Sequence, residues 1–280
     1  MRTAHSEASD QVAGRLGPWV KADAGFGASL WTFVILYIGL VLAMLAADAT
    51  YTSPAAILEA LRRPEIRDAL QLSLLSSTIT AILSVGFAIP IGYLLSRQQF
   101  RGRSLLDSLL DIPILLPPMV IGLSLLILFQ TPLGRAVERV LPFTFEVPGV
   151  ILAQFSVACA FAVRTMRVTF DAIDPRREAV ALTLGCSRAR AFWWVALPEA
   201  GPGALAAGLL AWARALGEFG PVLVFAGATR GKTEVLPSTI FLELSIGDLR
   251  AAVAVSLILV GAAVLVLVIA RLLGSGGVVR

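Results

Sequence analysis

The chain has 280 residues, of which 57% are hydrophobic and 15% charged. Soluble domains carry about 25% charged residues, so this composition, with a mean hydropathy of +0.83, indicates an integral membrane protein. The net charge is +4 and the pI about 9.6, but the basic residues sit in short segments between apolar runs. That arrangement is a topology signal rather than a nucleic-acid footprint, and no nucleic-acid partner is expected. The one histidine, His5, lies in a polar tail, and the two cysteines, Cys159 and Cys186, fall in an apolar run and a polar one. Histidine-based catalysis, a metal cluster and a disulfide framework are thereby excluded.

Residues 1–28 are polar and lack the apolar run and cleavage site of a signal peptide. They read as a mobile tail. Six apolar segments follow: Ser29–Ala47, Ala69–Ser96, Ile112–Phe129, Val147–Val163, Gly201–Ala228 and Ala251–Ala270. Each approaches the roughly 20 residues that a membrane helix needs. Without a barrel pattern, every span is predicted to be helical, since only a helix satisfies its own backbone in lipid. With the N-terminus inside, inner segments hold 14 Lys and Arg residues and outer loops 8. The bias predicts a multi-pass cell (inner) membrane protein with both termini cytoplasmic. The outer loops, about 20 residues each, are too short to fold into a capture domain. If the protein moves a solute, outside recognition belongs to another polypeptide. The membrane domain is predicted over 29–273. The tail 274–280 is too short for a regulatory domain.

The segment Asp174–Pro198, DPRREAVALTLGCSRARAFWWVALP, falls on the cytoplasmic side in this topology. Asp174 is a helix cap with Pro175 at the first helical position, and Gly185 supplies a stop. Ser187 caps a second short helix. Two short helices meeting at a glycine make a compact knuckle. It is either an amphipathic loop on lipid headgroups or a docking element for a cytoplasmic partner.

Inside the fifth span, Arg214 and Glu218 are four apart and able to pair. Charges at that depth face a bundle interior or a water-filled path. Gly217, Gly220 and Pro221 permit a break there, and Pro117 and Pro118 bend the third span. Pro117, Pro118, Arg214, Gly217, Glu218 and Gly220 are therefore the candidate lining of a pathway or gate. A packing-only ion pair and a packing-only kink are the competing readings. Ser73, Ser76, Ser77, Thr78 and Thr80 form a polar stripe suited to interhelical hydrogen bonds. Gly227–Thr233 has one residue too few between its glycines for a phosphate loop, and no other nucleotide motif occurs. ATP, if used, is hydrolysed on another chain, and this chain is not expected to be an enzyme.

The knuckle resembles the coupling loop of ABC importer permeases: Gly185, nine residues, then Val195-Ala196-Leu197-Pro198. Counting back from Gly185 sets the signature glutamate at Ala179, followed by Val180 and Ala181, with Glu178 one position early. RALGEFG at Arg214–Gly220, FAG at Phe225–Gly227 and EVLP at Glu234–Pro237 look most like permeases for tetrahedral oxyanions, of molybdate/tungstate type, with sulfate/thiosulfate permeases as near relatives. The resemblance covers about residues 65–273. It implies an all-α, six-helix, MetI-like type I importer fold in a homodimer. It also implies two cytoplasmic ATPase subunits that use ATP and Mg, and an external substrate-binding protein, with no cofactor bound by this chain. It implies ATPase-coupling contacts at Glu178, Ala179, Ala181, Leu184, Gly185, Ser187, Leu197 and Pro198. A channel or carrier that works without ATP is the alternative from another class, and a membrane scaffold a third.

Overall fold

The computed structural model describes the backbone of residues 3–275 and the side chains of 26–268. The His5 side chain and residues 276–280 of the tail lie outside these ranges. Among the described residues every regular element is helical.

The first unit, Met1–Ser53, is the helix α1 (Thr3–Tyr51). Its backbone runs unbroken through residues read from sequence as a tail. Phe26–Tyr51 is apolar and long enough to cross a bilayer.

The second unit contains all later elements in chain order. They are α2 (Pro54–Arg62), α3 (Pro64–Arg97), α4 (Arg103–Leu115), α5 (Pro118–Gln130), α6 (Pro132–Glu138), α7 (Val147–Ala172), α8 (Pro175–Thr183) and α9 (Arg188–Ala191). A π-helical turn, Phe192–Ala196, leads to α10 (Leu197–Glu199), α11 (Gly201–Leu216), α12 (Gly220–Phe225), α13 (Leu236–Ser245) and α14 (Leu249–Ser275). Proline occupies the first turn of α3, α5, α6, α7, α8, α10, α11, α12 and α13. There its missing N–H costs nothing and its fixed φ favours the helix.

The core lies where α3, α7 and α11 meet. It is built from small residues: Ala81 and Ala88 of α3, Ala158 and Ala162 of α7, and Ala207, Ala211 and Ala215 of α11, closed by Met166, Phe170 and Trp212. In lipid there is no hydrophobic drive between helices, so close approach of small residues supplies the packing. The α3 polar stripe adds hydrogen bonds: Thr80 Oγ1 donates to Gln154 Oε1 at 3.2 Å, and Trp212 Nε1 donates to Thr78 Oγ1 at 3.2 Å. Ser73 Oγ accepts from the Leu236 amide at 2.8 Å, joining α3 to the start of α13.

Two of the six sequence-derived spans are broken rather than single helices. Among the described residues, only Phe26–Tyr51, Pro64–Arg97, Val147–Ala172 and Leu249–Val268 are single helices long and apolar enough to cross. The third span is not one helix over Ile112–Phe129. It breaks at Leu116–Pro117, and α4 meets α5 at 109°, giving at most one more span. The residue before a proline is driven from helical to extended backbone. Leu116 and Pro117 obey, with ψ of 141° and 133°. The fifth span, Gly201–Ala228, divides into α11 and α12 around Gly217–Phe219.

The fourth span also runs nine residues past Val163. Arg164 and Arg167 are therefore helical rather than in a loop. Their charges are met by α4: Arg164 Nη1 lies 2.7 Å from Asp111 Oδ2, and Arg167 pairs with Asp107. No residue of α4 is buried. These ion pairs, with the partly buried Leu106 and Leu110 packed against the core, anchor it.

Candidate functional site

The knuckle forms as local chemistry dictates. Asp174 Oδ1 accepts from the Arg176 amide at 2.9 Å, capping α8. At the other end the Gly185 amide donates to Leu182 O at 3.0 Å and the Cys186 amide to Ala181 O at 3.1 Å. This paired closure requires a left-handed residue, and Gly185 has φ +87°. Ser187 Oγ then accepts from the Arg190 amide at 3.3 Å and starts α9. The π turn that follows was not anticipated from sequence; it carries Trp193 and Trp194, both exposed.

The knuckle has two faces. Glu178 and Ala181 are buried on the inner one. Ala179, Leu184, Gly185, Ser187 and Pro198 are exposed, Leu184 by 80%, and Leu197 is partly buried. Counting from Gly185 put the family glutamate at Ala179. The structure shows Ala179 outward and Glu178 inward. Its carboxylate accepts from Tyr93 Oη at 2.6 Å and from Arg97 Nε at 2.8 Å. Tyr93 and Arg97 were missed from sequence. Their i, i+4 spacing on α3 was readable, but their partner more than 80 positions away was not.

The second locus is where the two broken helices meet. A Cβ on Gly122 of α5 would lie 2.8 Å from Pro221 Cα, and one on Gly220 would lie 3.1 Å from the Met119 amide nitrogen and Pro118 Cβ. The break at Pro117–Pro118 and the break at Gly217–Phe219 are therefore stacked, and glycine is what lets them touch. Beside them Arg214 Nη1 sits 2.7 Å from Glu218 Oε2, as the spacing foretold. Glu218 is almost fully buried, whereas the Arg214 side chain keeps 28% of its surface. The guanidinium also lies 5.9 Å from the centre of the Phe161 ring. Glu218 and Phe161 thus fix a cation whose open side faces away from the core. Gly217 is exposed and Gly220 buried at this crossing; Pro117 and Pro118 are exposed.

A buried acidic pair lies after α12, one member of which, Glu234, opens the EVLP segment. Glu234 and Glu243 are each 2% exposed. Glu243 is bound by Arg230 at 2.9 Å and by Arg63 at 3.7 Å. Burial pushes the Glu234 carboxyl above the usual carboxylate range, opposed by the Thr239 hydroxyl and Arg230 and reinforced by Glu243 and Glu65.

Comparison with known proteins follows the same lines. Residues 88–276 match the family described as binding-protein-dependent transport system inner membrane component. The chain is 33% identical to a molybdate/tungstate transport system permease protein of Pyrococcus abyssi, over 87% of this chain and 92% of that one. It is 35% identical to a sulfate transport system permease protein of Escherichia coli, over 87% and 90%. Among solved structures, a bacterial ABC transporter importing the polysaccharide alginate aligns with a TM-score of 0.70 at 13% identity, covering 93% of this chain and 96% of that one. That likeness concerns fold alone. The multi-pass helical architecture, the knuckle and the sequence match agree: the chain belongs to the binding-protein-dependent transport system inner membrane components, the permease subunits of ABC importers, and is a transport subunit rather than an enzyme.

Proposed function

We propose that this chain is the permease of an ATP-driven importer for a tetrahedral oxyanion, molybdate or tungstate. Two copies form the membrane channel, with both termini in the cytoplasm. Two ATPase subunits that bind ATP and Mg sit against the two knuckles, and an external binding protein delivers the anion. The observation that carries the ATP-driven reading is the knuckle itself. It is a rigidly capped tip that exposes Ala179, Leu184, Gly185 and Ser187 and buries Glu178. A lipid-resting loop has no need of a left-handed glycine closure between two capped helices.

The stacked breaks, with Arg214 beside them, are the proposed gate. Arg214 offers a directional positive group to a passing anion. Its pairing with Glu218 keeps the site from becoming a deep trap, as conduction requires binding weak enough to release. Sulfate is the second reading, because the sulfate permease is as similar to this chain as the molybdate/tungstate one.

The test is uptake into proteoliposomes holding this chain, its partner ATPase and the external receptor. ATP-dependent molybdate uptake that excess sulfate does not suppress supports the reading. Suppression by sulfate moves the substrate to sulfate. Uptake with no ATPase present makes the protein a carrier and removes the docking role of the knuckle.

A further inference from the structure

The knuckle is fastened to a membrane helix far from it in sequence. Glu178 Oε2 accepts from Tyr93 Oη at 2.6 Å, and Oε1 accepts from Arg97 Nε at 2.8 Å. Arg97 Nη2 also donates to the carbonyl of Ile173, between α7 and α8, at 2.9 Å. Three bonds therefore hold both the entry to the knuckle and its first helix to the end of α3. The Arg97 and Glu178 side chains are only 13% and 11% exposed. Tyr93 cannot swing clear, because its ring is flanked edge-on by Phe170 at 5.4 Å and Phe192 at 4.6 Å. A shielded, multiply bonded carboxylate of this kind resists salt and holds its geometry. The neighbouring pair, Arg177 with Glu199, is different: Arg177 is 62% exposed, and such pairs contribute little.

Toward its other end, α3 is bonded again at Ser73, whose Oγ accepts from the Leu236 amide, both in the buried core. Both attachments lie on one helix of 34 residues, and the stretch from Ser73 to Arg97 between them is roughly 36 Å long at 1.5 Å per residue. Its faces toward α7 and α11 carry alanine and serine, which let the three helices approach closely.

We propose that Glu178 is a positioning residue that latches the knuckle to Tyr93 and Arg97, making α3 the lever that carries knuckle movement to the Glu234–Pro237 turn. The proposal rests on the importer reading above and adds which helix transmits the stroke. The Glu178 bonds persist through the cycle, and the exposed Arg177–Glu199 pair is the joint that gives.

The experiment measures ATP hydrolysed per molybdate taken up, in proteoliposomes with the partner ATPase and loaded receptor. Glu178→Gln is expected to raise that ratio about tenfold and Tyr93→Phe about threefold. The double variant should be no worse than Glu178→Gln alone, because residues sharing one network are non-additive. A purely structural role would lower hydrolysis and uptake together and leave the ratio unchanged. That result, or single effects that multiply in the double variant, overturns the latch. If unmodified vesicles show no ATP-driven oxyanion uptake, the importer reading fails first. Trypsin cleavage of the membrane-embedded chain at Arg176, Arg177, Arg188 and Arg190 then still reads the latch. Cleavage about tenfold faster in Glu178→Gln supports the fastening, and unchanged cleavage overturns it.

Discussion

Arg214 and Glu218 are the residues whose substitution separates packing from transport. Glu218 is 1% exposed. Removing Arg214 leaves a buried carboxylate without its counter-charge, a loss of about 3–5 kcal/mol. Arg214→Met is therefore expected to lower the Tm of the detergent-solubilised protein sharply, and Arg214→Met with Glu218→Met to recover most of it. If the double variant is stable but moves no anion, the pair serves the pathway; full transport by it would reduce the pair to packing. Glu234 gives a second test at this scale. Burial raises its folded pKa above the unfolded carboxylate value, so the folded state holds the proton more tightly. Stability then falls as pH rises from the ordinary carboxylate range through the raised value. Glu234→Gln should raise Tm at pH 8, and the gain should vanish near pH 4; a pH-independent difference would contradict the burial effect. The Arg214–Glu218 pair was legible because helical spacing alone brings i and i+4 together. The inward orientation of Glu178 was not readable, because pattern counting cannot tell an inward from an outward residue on a nine-residue helix.

Among the elements, the stacked breaks depend on Gly122 and Gly220. A larger side chain at Gly122 meets Pro221 backbone at under 3 Å. Gly122→Leu is expected to push α5 from α12, cost about 1–3 kcal/mol by overpacking and impair uptake. ATP hydrolysis with the partner should survive, since the knuckle is untouched. Equal loss of both activities would mean that the crossing is not a separate gate. The prolines and glycines that make the breaks stood in plain view, and Pro117–Pro118 foretold a bend. That the bend reaches 109° and stacks on the second break was not readable, because each break looks like a local event. The overrun of α7 past Val163 was hidden for a related reason. Hydropathy counts Arg164 and Arg167 as loop signals, whereas Asp111 and Asp107 of α4 neutralise them in place.

For the whole molecule, composition and the run of apolar segments made the membrane class and helical fold plain from sequence. The knuckle's glycine and caps made its shape plain as well. What sequence could not supply was how the knuckle is fastened, because Tyr93, Arg97 and Glu178 meet only through the packing of α3, α7 and the π turn. Gly185 itself divides strain from contact. A Cβ there meets nothing within 4 Å, but φ is +87°. Gly185→Ala should thus cost only the left-handed penalty of about 1–2 kcal/mol, and Gly185→Pro should disrupt the tip. The measurement to make is ATP hydrolysis in proteoliposomes containing this chain and its partner ATPase, with and without the loaded receptor. The expected result is receptor-dependent stimulation that Gly185→Pro abolishes while the protein stays inserted. Stimulation that survives Gly185→Pro, or hydrolysis indifferent to the receptor, would contradict docking through the knuckle.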